Sequence, residues 1–216
     1  MEEAFNPNAP AMMPENREIK AAAKAMLSGR WTNPVICTLL YVAITAALSL
    51  LPSALSAAAS LLVTVPLGFG YCVAFLLHVR GKDDEELITR PFLAFKQYSR
   101  YLGTSLLVTV FVMLWCLLLI IPGIIMGYAY EMTPFIMHDN PEMSAMDCIR
   151  KSKEMMRGYK WKLFCMDLSF IGWLLLCILT LGVLTLWVTP WMQCSHAKFY
   201  EELKARPQQP AAARLD

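Results

Sequence analysis

Three long stretches without Asp, Glu, Lys or Arg constrain the fold of this chain more than any other feature. They run from 31 to 79, from 101 to 130 and from 168 to 197. A helix needs about 20 apolar residues to cross the hydrocarbon core of a bilayer. The chain is 57% hydrophobic and 17% charged, whereas about 25% of the residues in soluble domains are charged. The stretches therefore predict a polytopic membrane protein and argue against a disordered chain or a soluble globular domain.

The number of crossings depends on how the stretches are divided. The first is long enough for two helices, with a turn at Pro52-Ser53, whereas each of the others fits either one long helix or two short ones. Pro122-Gly123 and Leu181-Gly182 lie near their middles, and such pairs often end helices. Two short helices would place all four clusters of Lys and Arg on one face of the membrane, as the positive-inside rule requires. The charge pattern favours six crossings over four.

We therefore expect an all-α membrane bundle of three hairpins, forming one domain over 15–204, with both termini in the cytoplasm. The predicted spans are 33–51, 56–79, 102–121, 123–138, 162–179 and 183–200. Amphipathic cytoplasmic helices are predicted at 15–29, 84–99 and 141–158. Residues 1–14 and 205–216 are predicted to be disordered tails, and the acidic, proline-rich start does not resemble a cleavable signal peptide.

A basic amphipathic segment that ends in an aromatic residue precedes each hairpin, which indicates a threefold internal repeat of about 60–65 residues. In the third segment Asn140 and Pro141 predict a helix start, and methionines at helical spacing form an apolar stripe that the cations largely avoid. We interpret this helix as lying in the interface with its cations among anionic headgroups; alternatively, its apolar stripe packs beneath the bundle. The expected lipid-interface residues, including two aromatic anchors, are Arg150, Lys151, Lys153, Arg157, Lys160, Trp31 and Trp161.

Two sets of polar residues are candidate sites. His78, His138 and His196 each end a hairpin in the six-helix arrangement, where they could converge on a metal or relay protons; alternatively, they are ordinary interfacial side chains. Glu131 is the costliest residue in the chain if it lies in the bilayer, and such carboxylates indicate a functional site by default. Asp167 has the same status more weakly.

Signatures of catalysis and of cofactor binding are weak. Two Glu-Glu-x-x-x-Arg strings, at 85–90 and 201–206, imitate an intramembrane protease motif, but the histidine motifs of that class are one residue short. The seven cysteines are scattered without a Cys-x-x-Cys pair, which predicts neither a disulfide nor a zinc site. We expect no cofactor and no enzymatic activity. A net charge of +2 gives no reason to expect nucleic acid as a partner.

The chain resembles a bacterial integral-membrane family of the domain-of-unknown-function type, which is distantly similar to the membrane domain of glycerophosphodiester phosphodiesterases. The resemblance covers about residues 20–204. It is strongest at Asp139-Asn140-Pro141, Lys160-Trp161, Phe170-Ile171-Gly172-Trp173, Leu179-Thr180-Leu181-Gly182 and Phe199-Tyr200. Glu131 departs from it, since a small or apolar residue is expected there. The resemblance implies a multi-pass protein of the bacterial cytoplasmic membrane, and it carries over no catalytic residues.

These features predict a non-enzymatic membrane protein that acts in envelope maintenance. The expected partner is a lipid, in particular an anionic one, or else a membrane protein, which includes a second copy of this chain. The alternative is a small permease or channel-like protein, which Glu131, the repeat and the prolines of the second helix in each hairpin favour. A third alternative, an intramembrane enzyme, rests only on the two protease-like strings.

Overall fold

The described part of the protein consists of helices joined by short turns. A computed structural model describes residues 13–52, 55–56, 60–81, 87–92 and 98–206, and no strand occurs in these ranges. The helices are α1 (Asn16–Leu27), α2 (Thr32–Ser49), α3 (Val65–Val79), α4 (Tyr98–Leu118), α5 (Ile120–Tyr130), α6 (Thr133–Asp139), α7 (Ala145–Met155), α8 (Lys160–Leu168), α9 (Ile171–Leu179) and α10 (Thr185–Lys204). A π-helical turn, Ser60–Thr64, leads into α3. The all-α prediction is confirmed for these residues, whereas most of both predicted tails and much of segment 84–99 lie outside them.

Four of the described helical segments are long and apolar enough to span a membrane. They correspond to four of the six predicted spans and are Thr32–Ser49, Leu62–Val79, Tyr98–Leu117 and Lys160–Leu179. The other two predicted spans are not among these four segments. Span 123–138 is divided at Glu131 and Met132 into the short helices α5 and α6. Span 183–200 lies in α10, whose second half is buried in the protein and continues into charged residues.

The second apolar stretch folds back on itself at Leu119, so that α4 and α5 pack together. Leu119 is extended, with φ −162° and ψ 136°, three residues before Pro122 of the predicted break. Pro122 lies in the first turn of α5, where a missing N–H costs no helical hydrogen bond. Gly123 packs so tightly on α4 that a Cβ there would lie 2.8 Å from the Cα of Cys116. Glycine is therefore required for this close approach.

The third apolar stretch breaks twice. Helices α8 and α9 meet at Ser169 and Phe170, where the Phe170 ring is fully buried. The second break falls at Leu181-Gly182, as the sequence predicts. Leu181 and Gly182 both have positive φ, 53° and 86°, and the Gly182 N–H donates to the Cys177 carbonyl at 2.7 Å. This left-handed cap ends α9 and redirects the chain into α10.

Helix α10 is the centre of the packed core, because it contacts α1, α2 and α3. The buried face of α1, formed by Ile19, Ala23 and Leu27, lies against it. The Trp191 indole N–H donates to the Lys20 carbonyl at 2.9 Å, and the Lys20 ammonium lies 4.6 Å from the centre of the Phe170 ring. Hydrophobic burial and these polar contacts join the first helix to the last described one.

Helix α7 begins at Ala145, after the predicted start at Pro141. Ser144 caps it, with its Oγ accepting from the Asp147 N–H at 3.2 Å, whereas Asn140 instead ends α6. The Asn140 side chain donates back to the Ile136 carbonyl at 2.8 Å and is thus engaged with the preceding helix. A serine at the N-cap satisfies the free amide groups equally well.

Candidate functional site

A buried histidine links three helical segments through two carboxylates. His196 of α10 is 5% exposed, and its Nε2 lies 2.7 Å from Oδ1 of Asp167 in α8. Its Nδ1 lies 3.5 Å from Oε1 of Glu131, between α5 and α6. We call these three residues the buried network. Asp167 is mostly shielded, whereas the Glu131 side chain is 42% exposed. The network thus runs from the packed interior to the surface of the protein.

The geometry of the buried network suits a hydrogen atom at each of its two nitrogen–oxygen contacts. A neutral imidazole has one N–H and one lone pair, whereas an imidazolium has two N–H groups. Since both ring nitrogens face carboxylate oxygens, a neutral ring would direct its lone pair at one of them. The arrangement is therefore satisfied by an imidazolium, or by a neutral ring next to one protonated carboxyl group. It can hold a proton and pass it across the ring.

The structure regroups the candidate residues of the sequence. Glu131 and Asp167, each singled out as a polar residue in an apolar region, lie on either side of His196. The other two histidines lie elsewhere, His78 in the last turn of α3 and His138 in the last turn of α6. Among the described residues, no three His, Cys, Asp or Glu side chains are grouped so as to hold a metal ion.

A second cluster, which sequence reasoning missed, lies where α3, α6 and α10 end. Arg80 donates to both carboxylate oxygens of Asp139, at 2.6 and 2.7 Å, and to Oε1 of Glu201, at 2.8 and 2.7 Å. The Tyr200 hydroxyl and the Lys204 ammonium also donate to Asp139, at 2.9 and 2.7 Å. We call these five residues the Arg80 cluster. Bidentate arginine–carboxylate pairs are among the strongest polar contacts in proteins.

The environment of Asp139 strongly favours its ionised form. Burial raises the pKa of this carboxyl group, but the hydrogen bonds from Arg80, Lys204 and Tyr200 outweigh burial and hold the pKa well below its usual range. The hydrogen bonds to Asp139 raise the pKa of Arg80, against the opposing effect of burial. The pair therefore stays charged except in strong acid, and it helps to hold the ends of three helices together.

A cavity of about 380 Å³ opens beside the Arg80 cluster. Its lining comes from the ends of α6 and α10 and from one side of α7, and consists of Asp139, Asn140, Lys151, Met155, Tyr200 and Lys204. The cavity therefore combines cationic, carboxylate, hydroxyl and amide groups with one apolar side chain. Lys151 is the only one of these residues that the sequence analysis named as a lipid-interface residue.

The remaining predicted lipid-interface residues lie mainly on outward surfaces. Ile149, Ser152 and Met155 form much of the buried face of α7, and the Ser152 hydroxyl donates to the Ala129 carbonyl at 2.8 Å. The apolar side of this helix thus packs largely against the bundle, the alternative that the sequence left open. Three of the predicted cations are exposed on other sides: Arg150, Lys153 and Arg157; of these, Arg150 pairs with Asp147. Trp161 is 72% exposed, whereas Trp31 and Lys160 are half-buried.

Both polar sites lie largely in the second half of the chain, and so does the family match. Residues 116–207 match the model of a family described as "Protein of unknown function (DUF975)". This part of the chain is similar to that family. The match includes the whole buried network and four members of the Arg80 cluster; Arg80 itself lies outside it. It supports the resemblance to a domain-of-unknown-function family. No curated protein and no solved structure matches the chain.

Proposed function

We propose that this chain is a non-enzymatic, multi-pass protein of a bacterial cytoplasmic membrane that binds anionic lipid at its basic end, in maintenance of the cell envelope. The observation that carries the proposal is that the protein surface has an apolar part and a separate cationic part. Large apolar side chains are exposed on the candidate spans, including Leu39, Met113 and Ile178. The exposed cations of α7 lie outside those spans. A surface divided in this way suits hydrocarbon along the helices and anionic headgroups at one end.

The finer topology is part of the same proposal. We propose three hairpins, with both termini and all the basic segments on the cytoplasmic side, and with α5–α6 and α10 crossing or partly crossing the membrane against the four apolar spans. The exposed Trp161, beside Lys160 at the start of a candidate span, supports an aromatic anchor at the headgroup level. We also propose that this chain is distantly similar to the membrane domain of glycerophosphodiester phosphodiesterases.

Native mass spectrometry of the gently extracted protein tests the lipid-binding function. The full chain is incorporated into nanodiscs of equal parts phosphatidylglycerol and phosphatidylcholine and then released with its bound lipid. We expect phosphatidylglycerol to be retained in clear excess, and the excess to fall as salt is raised, because exposed charges are screened over about 10 Å at 0.1 M salt. Equal retention of the two lipids would overturn the proposal.

The buried network favours one second function, that of a small permease coupled to proton movement. Ionisable groups within membrane bundles commonly form proton relays, and this network joins a shielded carboxylate to an exposed one. The test is proton flux into proteoliposomes that contain a pH-sensitive dye. Glu131→Gln should abolish flux that Glu142→Gln, an exposed control outside the network, leaves unchanged. Equal flux in empty vesicles and in vesicles with the wild-type protein would exclude this function.

A further inference from the structure

We infer that the cavity beside the Arg80 cluster binds the phosphate group of an anionic lipid headgroup, with Lys151 and Lys204 donating hydrogen bonds to it. This inference rests on the proposed lipid-binding function and assigns it to one place. Three elements build the cavity: the end of α6, the inward-facing side of α7 and the last turns of α10. A site of this kind differs from a diffuse cationic surface, because its donors line one open cavity.

The hydrogen-bonding capacity of the lining favours an anion. An ammonium group has three N–H donors and no acceptor. Lys151 makes no hydrogen bond or ion pair with any residue that the structure describes, and Lys204 uses one donor on Asp139. Donors on both lysines therefore remain free to bind a ligand in the cavity. Phosphate oxygens are suitable acceptors, since charge-assisted hydrogen bonds are about twice as strong as neutral ones.

Asp139 also lines the cavity, but its charge is already matched. Its two oxygens accept four hydrogen bonds, two from Arg80 and one each from Tyr200 and Lys204. A carboxylate saturated in this way offers a cation little further coordination. Taken together, the charges of Arg80, Lys151 and Lys204 exceed those of Asp139 and Glu201 by one. The local balance is therefore positive, with the uncompensated charge on Lys151.

The position of the cavity suits a lipid. Arg80, which binds Asp139, directly follows the candidate span Leu62–Val79. Arg100, near the start of the candidate span Tyr98–Leu117, donates to the carbonyls of Asn140 and Met143 at 2.8 and 3.0 Å. Ends of two spans thus meet the segment that borders the cavity. The cavity consequently lies at the level where spans end, which is the level of lipid headgroups.

Three substitutions on α7 test the site in the full-length protein. Lys151→Gln removes the uncompensated charge and keeps most of the side-chain stem. Lys153→Gln removes the same charge from an exposed position two residues away, outside the cavity. Lys151→Arg restores the charge. Binding of phosphatidylglycerol is measured by native mass spectrometry, and thermal unfolding of each variant checks that it is folded.

We expect Lys151→Gln to weaken binding of one phosphatidylglycerol molecule about tenfold, because the substitution removes one charge-assisted hydrogen bond to the phosphate group. Lys153→Gln should change binding less than about threefold, because an exposed charge is screened, and Lys151→Arg should keep most of it. Equal losses in Lys151→Gln and Lys153→Gln would overturn the cavity site and leave lipid binding by the surface intact. Absence of any preference for phosphatidylglycerol in the wild type would overturn the proposed function itself.

A parallel titration with inorganic phosphate identifies the source of the phosphate group. If the occupant is a lipid, millimolar inorganic phosphate should leave bound phosphatidylglycerol in place. Lys153 lies outside the cavity. If inorganic phosphate displaces the lipid from the wild type but not from Lys153→Gln at matched occupancy, the displaced lipid depends on Lys153, and the assignment to this cavity is overturned. Displacement in both would assign the cavity to free phosphate and overturn the lipid assignment.

Discussion

The Arg80 guanidinium binds both oxygens of the Asp139 carboxylate, at 2.6 and 2.7 Å, and joins the end of α3 to the end of α6. The Asp139 side chain is only 8% exposed, and that of Arg80 is 22% exposed. Water therefore provides little compensation if either partner is lost. Since Glu201 accepts from the same guanidinium, one arginine side chain holds three helices together.

Replacing Arg80 should destabilise the protein far more than replacing an exposed arginine. Arg80→Gln leaves Asp139 buried without its main partner, so we expect a loss of about 2–3 kcal/mol in the free energy of unfolding. Arg157→Gln is the matched control, because its side chain is exposed and makes no hydrogen bond or ion pair with the described residues; it should stay within about 0.5 kcal/mol of wild type. Chemical denaturation in detergent measures both. Similar losses would show that the cluster does not stabilise the fold.

The depressed pKa of Asp139 predicts a loss of stability in acid. Because the folded state holds the pKa below its unfolded value of about 3.9, the stabilisation is complete above that pH and is lost progressively below it. Unfolding measured from neutral pH down to about pH 3 should therefore show falling stability. Asp139→Asn should be less stable at neutral pH and change less in acid. Asp147→Asn, whose partner Arg150 is exposed, should keep the wild-type slope.

Within the buried network, His196 should matter more for stability than Glu131. His196→Leu removes the ring nitrogen that contacts the largely shielded Asp167, and we expect a loss of about 2 kcal/mol. Glu131→Gln removes a longer contact of a partly exposed side chain and should cost less than about 1 kcal/mol. The double variant His196→Leu, Asp167→Leu should recover part of the loss, because it also removes the unpaired charge. No recovery, as judged by thermal unfolding, would contradict this account of the network.

Two glycines of α5 should respond in opposite directions to alanine. Gly123→Ala places a Cβ against the backbone of Cys116 in α4, and the resulting overpacking should cost about 1–3 kcal/mol. Gly127 has open space where its Cβ would be, so Gly127→Ala should be neutral or stabilise by up to about 1 kcal/mol. Thermal unfolding of the two variants side by side measures the difference. A tolerated Gly123→Ala would show that α4 and α5 can separate without cost.

The apolar pattern predicted the helices because hydropathy reports the environment of a whole segment. It does not distinguish the two halves of 183–200, although the second half of α10 is buried against protein, because an apolar residue facing protein and one facing lipid look alike in sequence. The helix start assigned to Asn140 was wrong for a local reason, since Ser144 is an equally good cap nearer to α7.

The polar sites were only partly predictable. The cost of an intramembrane carboxylate identified Glu131 and Asp167, but the partner of both, His196, was grouped with two other histidines by its spacing along the chain. Arg80 and Asp139 are 59 residues apart in sequence, and each looks like an ordinary charge at the end of a span. Pairing across such a distance depends on how the helices pack, which periodicity and composition do not encode.

The packing of α1 on α10 has a consequence for biosynthesis. Lys20 and Trp191, which bind each other, are 171 positions apart. A ribosome therefore completes α1 long before its partner exists, and the apolar strip of Ile19, Ala23 and Leu27 stays without that partner until α10 has been made. The contact between α1 and α10 therefore forms only after most of the chain has been made. A nascent chain that stops before α10 leaves that strip uncovered, which is the kind of feature that chaperones and membrane proteases recognise in unfinished proteins.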